Sequence, residues 1–552
     1  MKRLAFMLTV AGLFVLLPAQ ERPTPDAQRD LTPLREQRAP ELPTIDLPEF
    51  VITGLASIDL PRVEKRMEML GPAGDIAVSS APALRERPVG AVPGAGLERK
   101  TIVAEGGFSG NLRLGVGSFR MPLMTASVIQ PLGSAIVNMN GRYARSAGFA
   151  PWTSWSEGGL QGAVGLPVDL APAGISGASL IGILGYDTRS AHWYGSVKPD
   201  AGREVTASFG GVGIKGGVGG TWRGEAFVEF RSTTVIDSSA TLNEDQSRVR
   251  IVADGSVADV PLSLGLQMQA AGRKGSIGSS TNVTEIFAMS RWVPAEGIML
   301  RGGFRMAFAR GEAGQYVTRF LASLGLALTL DDRHRLVGHY EPVISPTTVS
   351  SSLENHRFLN ARSVMRHGIW KNQGRFGLES DWTQDVRTRI EVEAATVDDL
   401  PMAADTAGVG VWSWMYGGAS MTLLRGECVA KMRRNDYFSA TFMMRVSKNA
   451  VSGLRIPYLP VFESRASYVA GVTPDLTLSA SLQIVHTRES SWAGPSATLP
   501  GYAVVDVHGS FSVLPTVTLW TDVTNLTNAV YEHWKRYQEP PFRMSVGVAV
   551  AW

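Results

Sequence analysis

The chain has 552 residues and a formal net charge of +3 at pH 7, so no strong preference for nucleic acid or for an acidic partner follows. Its one cysteine, Cys428, excludes an internal disulfide and a cysteine-based metal site. Mean hydropathy is +0.02 and glycine is abundant, at 59 residues, which is typical of alternating strands in which half of each strand is polar.

Residues 1–19 have the pattern of a signal peptide. A basic start at Lys2 and Arg3 precedes an apolar run, and cleavage is predicted before Gln20. This run is too short for a membrane-spanning helix, and elsewhere no uncharged apolar run reaches about 18 residues. We therefore expect export, and a membrane protein of this sequence would not be helical.

Residues 20–103 are rich in proline and charge, which predicts an extended or disordered periplasmic segment. A short apolar, β-prone run lies within it at 46–54. Either this run forms one edge strand or docking segment, or it is an energy-coupling box that adds a strand to a periplasmic partner. The candidate docking residues are Leu47, Phe50, Val51, Ile52 and Thr53.

From about residue 104 to the end, segments of alternating apolar and polar residues recur. In 298–308 one side of the predicted strand is apolar, whereas the other side includes Arg301 and Arg305. The last stretch, 541–552, alternates in the same way and ends on Trp552. An apolar face toward lipid and a polar face toward a wet lumen predict an all-β fold, a transmembrane antiparallel β-barrel over 104–552.

Connections between the predicted strands alternate in length, which is a second signal for such a barrel. The alternation indicates about 22 strands, with 20 to 24 compatible with the pattern. The region 371–404 is the weakest, and there 381–385 is interpreted as a tight outer turn. The tight turns are predicted at 131–133, 294–296, 331–333, 372–374, 434–436, 473–475 and 514–516.

Three stretches together resemble the barrel of the TonB-dependent outer-membrane receptors. They are the closing segment from Leu499 to Trp552, the opening strands from Gly117 to Gly148, and, loosely, 46–54. The resemblance implies a barrel in the Gram-negative outer membrane, contacts with outer-membrane lipid, and an energy-coupled solute transporter. The chain departs from that family because only about 50 residues separate Gly54 from the first strand, where the family has a plug on the order of 150 residues. We therefore expect no full plug.

The resemblance also implies that the terminal strand is the signal for the outer-membrane assembly machinery. The two residues assigned to this signal are Phe542 and Trp552. Tyrosines and tryptophans near predicted strand ends are interpreted as an interfacial girdle. They are Tyr143, Trp152, Trp155, Trp193, Tyr194, Trp292, Trp412, Trp414, Tyr502 and Tyr531.

Six arginines fall on the predicted lumen face. Either they form a structural ladder with acids such as Glu463 and Asp506, or they make the lumen favour anions. These arginines are Arg248, Arg250, Arg301, Arg305, Arg465 and Arg543.

Two functions remain open from the sequence. The first is solute transport through a barrel without a plug, and the second is a scaffold or anchor subunit of an outer-membrane complex that docks a periplasmic or membrane partner through its N-terminal segment. The match to GxGxxG at 211–216 lies in a predicted hairpin without a following helix, so no dinucleotide site is expected. No catalytic motif, cofactor or metal site is predicted.

Overall fold

A computed structural model describes residues 108–148, 152–219, 221–237, 240–274, 279–433, 435–491 and 498–552. The predicted signal peptide and the segment 20–103, with its docking residues at 46–54, lie outside the described residues. None of the helices in the described ranges is long and apolar enough to span a membrane.

Strands dominate the described chain. In chain order they are β1 (Ser109–Gly117), β2 (Met121–Leu132), β3 (Ala135–Ser146), β4 (Trp155–Leu170), β5 (Ile175–His192), β6 (Gly202–Val218), β7 (Trp222–Asp237), β8 (Ala240–Val257), β9 (Val260–Lys274), β10 (Ser279–Ala295), β11 (Ile298–Arg310), β12 (Tyr316–Thr329), β13 (His334–Tyr340), β14 (Val343–Ser345), β15 (Gly368–Thr383), β16 (Val386–Ala404), β17 (Ser413–Arg433), β18 (Asp436–Asn449), β19 (Phe462–Gly471), β20 (Leu476–Val485), β21 (Arg488–Glu489), β22 (Thr498–Leu499), β23 (Tyr502–Leu514), β24 (Val517–Thr524), β25 (Glu532–Trp534), β26 (Tyr537–Gln538) and β27 (Arg543–Ala551). One α-helix, α1 (Val349–Asn355), lies between β14 and β15, and a 3-10 turn (Ala171–Ala173) follows β4.

Antiparallel pairing of neighbouring strands closes the sheet into a barrel. The wall has 22 strands, because β14 continues β13 along β15, and β21–β22 and β25–β26 are small separate hairpins. Strand β1 pairs with β27 from Asn111 opposite Ala551 to Gly117 opposite Ser545. The predicted fold class and strand number are therefore confirmed, and β27 is the closing strand.

Side chains alternate across the wall as a barrel in lipid requires. In β11, Phe304 and Met306 are 48% and 42% exposed, whereas Arg305 and Ala307 are 4% and 0% exposed. The exposed series is apolar, so it forms the outer face, and the buried series faces inward.

The seam between β1 and β27 depends on a close approach of two glycines. Gly115 lies opposite Gly547, and the Trp520 ring of the neighbouring β24 covers both, so a Cβ on either glycine would collide with that ring. The Arg113 guanidinium lies 3.8 Å from the centroid of the same ring. Trp552 extends the seam, since its N–H donates to the Gly110 carbonyl and its carbonyl accepts from the Gly110 N–H.

Connections alternate between two rims, which we call the short-turn rim and the long-loop rim. The turns after β2, β10 and β19 are on the short-turn rim, close to the predicted positions. The predicted turn at 372–374 is wrong, because this segment continues β15, with Gly374 paired to Tyr340 and Ala394. Instead of a turn, the strand has a β-bulge between Trp370 and Asn372, where its pairing with β16 shifts by one residue.

The turn at 381–385 exists, but its assignment to the outer rim is wrong. It joins β15 to β16 on the short-turn rim, because the preceding connection, 341–367, already occupies the long-loop rim. That long connection includes α1, which was not predicted. Thr348 is the N-cap of this helix, and its hydroxyl accepts a hydrogen bond from the Ser351 N–H.

Candidate functional site

Long connections fold over the long-loop rim and pack together there, and we call this packed layer the cap. Its central part is residues 346–367, which include α1 and which we call the strap. The other contributions come from the connections 193–201, 405–412, 450–461 and 525–542.

An aromatic cluster forms the core of the cap. Trp412 and Tyr537 are fully buried, and the Trp412 indole N–H donates to the Tyr458 hydroxyl at 3.0 Å. The Phe358 ring of the strap stacks on the Tyr537 ring, with centroids 3.7 Å apart. Because these rings come from four different connections, their packing joins the connections into one layer.

The predicted girdle is therefore wrong for part of its residues. Trp412 and Tyr194 are 0% and 1% exposed inside the cap, because their loops turn inward over the mouth. Trp152 and Trp292, by contrast, are 45% and 59% exposed.

Charged side chains of the inner wall hold the strap by its backbone. Arg203 of β6 makes a two-bond pair with Asp237 of β7, at 2.6 and 2.9 Å. The guanidinium also donates to the carbonyls of Arg357 and Leu359, at 2.9 and 2.6 Å. Arg203 thus fixes the strap just after α1, in a geometry that lysine does not provide.

Two further wall residues hold α1 itself. The buried Glu244 carboxylate of β8 accepts from the N–H groups of Val349 and Ser350, at 2.8 and 3.1 Å. Arg231 of β7 donates to the Ser350 hydroxyl and to Glu354. A carboxylate at a helix N-terminus satisfies donors that the helix leaves free, so Glu244 orients α1.

A third attachment is made by Arg273 of β9. Its guanidinium donates to the Glu312 carboxylate, to the Ser279 hydroxyl, and to the carbonyls of Ala361 and Ser363, the last two at 3.2 and 3.0 Å. Glu312 also accepts from the N–H of Met365, at 2.8 Å. Arg273 and Glu312 are both buried, so the strap closes over a desolvated ion pair.

These attachment residues were not predicted from the sequence. Glu244 and Arg273 were readable only as charged positions on the inner face of predicted strands. Their partners lie 105 and 88 residues away in the chain, and no local pattern indicates such contacts.

His356 lies at the centre of the cap, directly after α1. It is 1% exposed, and neither ring nitrogen has a hydrogen-bond partner among the described residues. Its ring stacks on the Trp534 ring with centroids 3.5 Å apart, and the Trp412 ring is 5.2 Å away. Burial, and to a lesser extent the nearby Arg203 charge, lower the pKa of His356 well below its usual value.

His533, in the 525–542 connection, is another buried histidine whose neutral form is favoured. Burial, followed by the charges of Arg488 and Arg357, lowers the pKa of His533 to about 3. His533 packs on the rings of Tyr502 and Tyr531, which belong to a separate cluster.

The six arginines predicted for the lumen lie on wall strands. Arg305 is buried between Glu285 and Glu341, at 3.8 and 3.1 Å, and Arg250 lies 3.7 Å from Glu225. Arg248 donates to Gln269 of β9. The remaining three are half-buried or buried, namely Arg301, Arg465 and Arg543. Acids accompany part of the set, as a ladder requires, while the effect of these arginines on ion selectivity stays a prediction.

The two residues assigned to the assembly signal lie at the end of the chain. Phe542 is 43% exposed, directly before β27, and the Trp552 ring stacks on Phe108 with centroids 5.9 Å apart. The described ranges contain no group of three or more His, Cys, Asp or Glu side chains that could hold a metal ion.

Solved structures resemble this barrel at low sequence identity. "Copper transporter OprC" shares 15% identity with a TM-score of 0.65, covering 81% of this chain and 80% of that chain. The FrpB iron transporter from Neisseria meningitidis shares 12%, with a TM-score of 0.65 and 81% of each chain covered. The ferric-catecholate import receptor Fiu from Escherichia coli K12 shares 11%, with a TM-score of 0.63 and coverage of 81% and 82%.

No protein-family model matches the sequence, and the comparison with curated proteins finds no match. Each of these three similarities covers 81% of this chain. The described chain therefore has the 22-strand barrel fold of the TonB-dependent outer-membrane receptors.

Proposed function

We propose that this chain is an outer-membrane barrel through which a solute passes, and that the cap closes its long-loop rim in the described conformation. The observation that supports this most directly is the attachment of the strap to the inner wall by buried charges, Arg203, Glu244 and Arg273. A barrel of 22 strands is wide enough to need an occluding element. A barrel that served only as an anchor would not need its mouth sealed.

The similar structures support passage of a solute in a general way. Their titles describe a copper transporter, an iron transporter and a ferric-catecholate import receptor. We place the long-loop rim outside the cell and the short-turn rim in the periplasm, as is usual for outer-membrane barrels. Residues 20–103 then extend into the periplasm without forming a full plug, and residues 1–19 are the signal peptide.

The test is conductance of the purified full chain in planar lipid bilayers, compared with two deletions. Removal of the strap, residues 346–367, is expected to raise single-channel conductance strongly, because it removes the centre of the cap. Removal of residues 20–100 is also expected to raise single-channel conductance above that of the full chain if this segment occludes the periplasmic end. Absence of conductance in the full chain and in both deletions would overturn the proposal.

The six inner-wall arginines give this passage a preferred ion charge. We propose that they favour anions, because guanidinium groups lining a pore attract them. In the strap-deleted barrel, a chloride gradient is expected to give a reversal potential of anion-selective sign. Arg301→Gln with Arg248→Gln is expected to reduce that potential, and an unchanged potential would assign these arginines to the structural ladder alone.

The scaffold alternative is favoured by a different observation. The cap exposes apolar side chains toward solvent, with Val451 93%, Val197 61% and Val530 58% exposed. In this alternative the barrel anchors a complex, and the segment 46–54 docks a periplasmic partner through Leu47, Phe50, Val51, Ile52 and Thr53. Mild-detergent purification of the tagged native protein is the test, and reproducible recovery of a lone barrel would count against this alternative.

A further inference from the structure

His356 lies where α1 ends and the strap meets the inner wall. The backbone N–H of His356 donates to the Ser352 carbonyl at the end of α1, and the carbonyl of the next residue, Arg357, accepts a hydrogen bond from Arg203. The ring lies within the aromatic cluster, against Trp534. A displacement of this ring therefore disturbs three supports of the strap at once: the end of α1, the Arg203 contact and the aromatic packing.

The His356 ring is buried without hydrogen-bond acceptors that could stabilise a protonated imidazole. Both ring nitrogens lack a hydrogen-bond partner among the described residues, and a protonated imidazole needs an acceptor for each N–H. The His356 ring is surrounded by aromatic rings, one from the strap and three from other elements. They are Phe358, Trp412, Trp414 and Trp534.

Charges on the surrounding elements are mixed, so they do not provide a dedicated counter-ion. Arg203 of β6 is bound to Asp237 of β7, and Glu354 of α1 is bound to Arg231. The other His, Asp, Glu, Lys and Arg side chains on the elements packed around the ring are Arg357, Arg362, Arg366 and His367 of the strap, Asp405 of the connection before Trp412, Arg425, Glu427, Lys431 and Arg433 of β17, and Glu532, His533, Lys535, Arg536 and Glu539 of the 525–542 connection.

We propose that protonation of His356 releases the strap from the long-loop rim, so that the cap is an acid-sensitive gate. The release of the strap follows from the geometry of the cap, whereas its effect on a solute rests on the proposed function. When the cap opens, the imidazole of His356 contacts water and can bind a proton from the medium. The protonated imidazole is stable only in the open cap, so a low pH favours that state.

The sign of the pH dependence follows from the depressed pKa of His356 in the closed cap. The closed cap is fully favoured above the ordinary histidine value of about 6.5 and loses stability as pH falls below it. Between pH 8 and pH 5 the ratio of open to closed cap is expected to rise up to about 30-fold. Burial raises the pKa of Glu532, so this carboxyl opposes the effect in the acid part of that range.

The test uses nitroxide labels, attached at pH 8 before the pH is changed. In the full chain with Cys428→Ala, one label is placed on the strap at Val364→Cys and one on the short-turn rim at Val472→Cys, both exposed positions. The background includes Arg273→Met, which weakens the closed cap so that the displaced fraction is measurable. Pulsed electron spin resonance then gives the fraction of molecules with a displaced strap at each pH.

His356 is expected to contribute a rise of roughly 30-fold in the displaced-to-closed ratio from pH 8 to pH 5, and His356→Phe, which keeps an aromatic ring without titratable nitrogens, is expected to lose that contribution. Burial also lowers the pKa of His367 at the end of the strap, so any smaller rise that remains in His356→Phe is assigned to that group. The matched control, His533→Phe, is expected to keep the rise, because His533 packs in the separate Tyr502–Tyr531 cluster. Where His356→Phe does not assemble, His356→Leu replaces it.

A rise below about 3-fold, or an equal rise in the His356 variant, would overturn the inference. Loss of the rise in His533→Phe alone would assign the pH response elsewhere and would also overturn it. Conductance distinguishes this failure from failure of the proposed function. A pH-dependent strap in a barrel that never conducts, even after strap deletion, refutes passage of solute only, whereas a conducting barrel with a pH-independent strap refutes the gate only.

Discussion

Replacing Arg273 with methionine tests how the strap is held. The guanidinium donates to Glu312, to the Ser279 hydroxyl and to two strap carbonyls, and the contacts to Glu312 and to the carbonyls are buried. Methionine keeps much of the side-chain volume but leaves the Glu312 carboxylate without its cation. Breaking a buried ion pair from one side costs about 3–5 kcal/mol. Because Arg273 joins the wall to the strap, we expect most of this cost to appear as easier opening of the cap.

Hydrogen–deuterium exchange of the peptide covering 346–367 measures this opening. A loss of about 3 kcal/mol raises the open population roughly 150-fold, so exchange at neutral pH should speed up by about that factor. The neighbouring Lys274→Ala is the control, because Lys274 pairs with Asp245 on the exposed surface, where solvent screens the charges. Unchanged strap exchange in Arg273→Met, with the barrel intact, would refute the view that this ion pair holds the cap.

Two further substitutions and one deletion test the cap and the seam. Trp412→Ala removes the fully buried centre of the aromatic cluster and is expected to destabilise the cap by about 3–5 kcal/mol, measured by strap exchange, whereas the exposed Trp292→Ala leaves it unchanged. Gly547→Val is expected to abolish the heat-modifiable barrel on gels, because its side chain would meet the Leu114 carbonyl and the Trp520 ring; Gly272→Val, where a Cβ has open space, is the control. Deletion of Trp552 is expected to abolish outer-membrane insertion, and a normal heat-modifiable barrel in that variant would contradict the role assigned to it.

The wall was predictable from sequence because each of its residues faces one of two environments. Phe304 and Met306 face outward and Arg305 between them faces inward, and this alternation with a period of two is the signature of a β-strand. The segment 372–374 was predicted as a turn, but it continues β15. Asn372 and Gly374 are of types that favour turns, but here pairing with β13 and β16 outweighs this local preference.

The cap was not predictable because its contacts join distant parts of the chain. Trp412 and Tyr194 occupy loop positions whose sequence is compatible with an exposed interfacial girdle, and only folding of five connections over one rim buries them. Their local sequences give no sign of one another. His356 is a similar case, since its lack of hydrogen-bond partners is a property of the assembled cluster.

The position of the cap bears on how the proposed barrel opens. The strap is attached at both ends to wall strands, and its supports, Arg203, Glu244 and Arg273, belong to the wall as well. In the proposed gate, opening at this rim requires the loss of these buried contacts. A barrel closed in this way would respond to conditions outside the cell, and deletion of 46–54 should leave strap exchange unaltered.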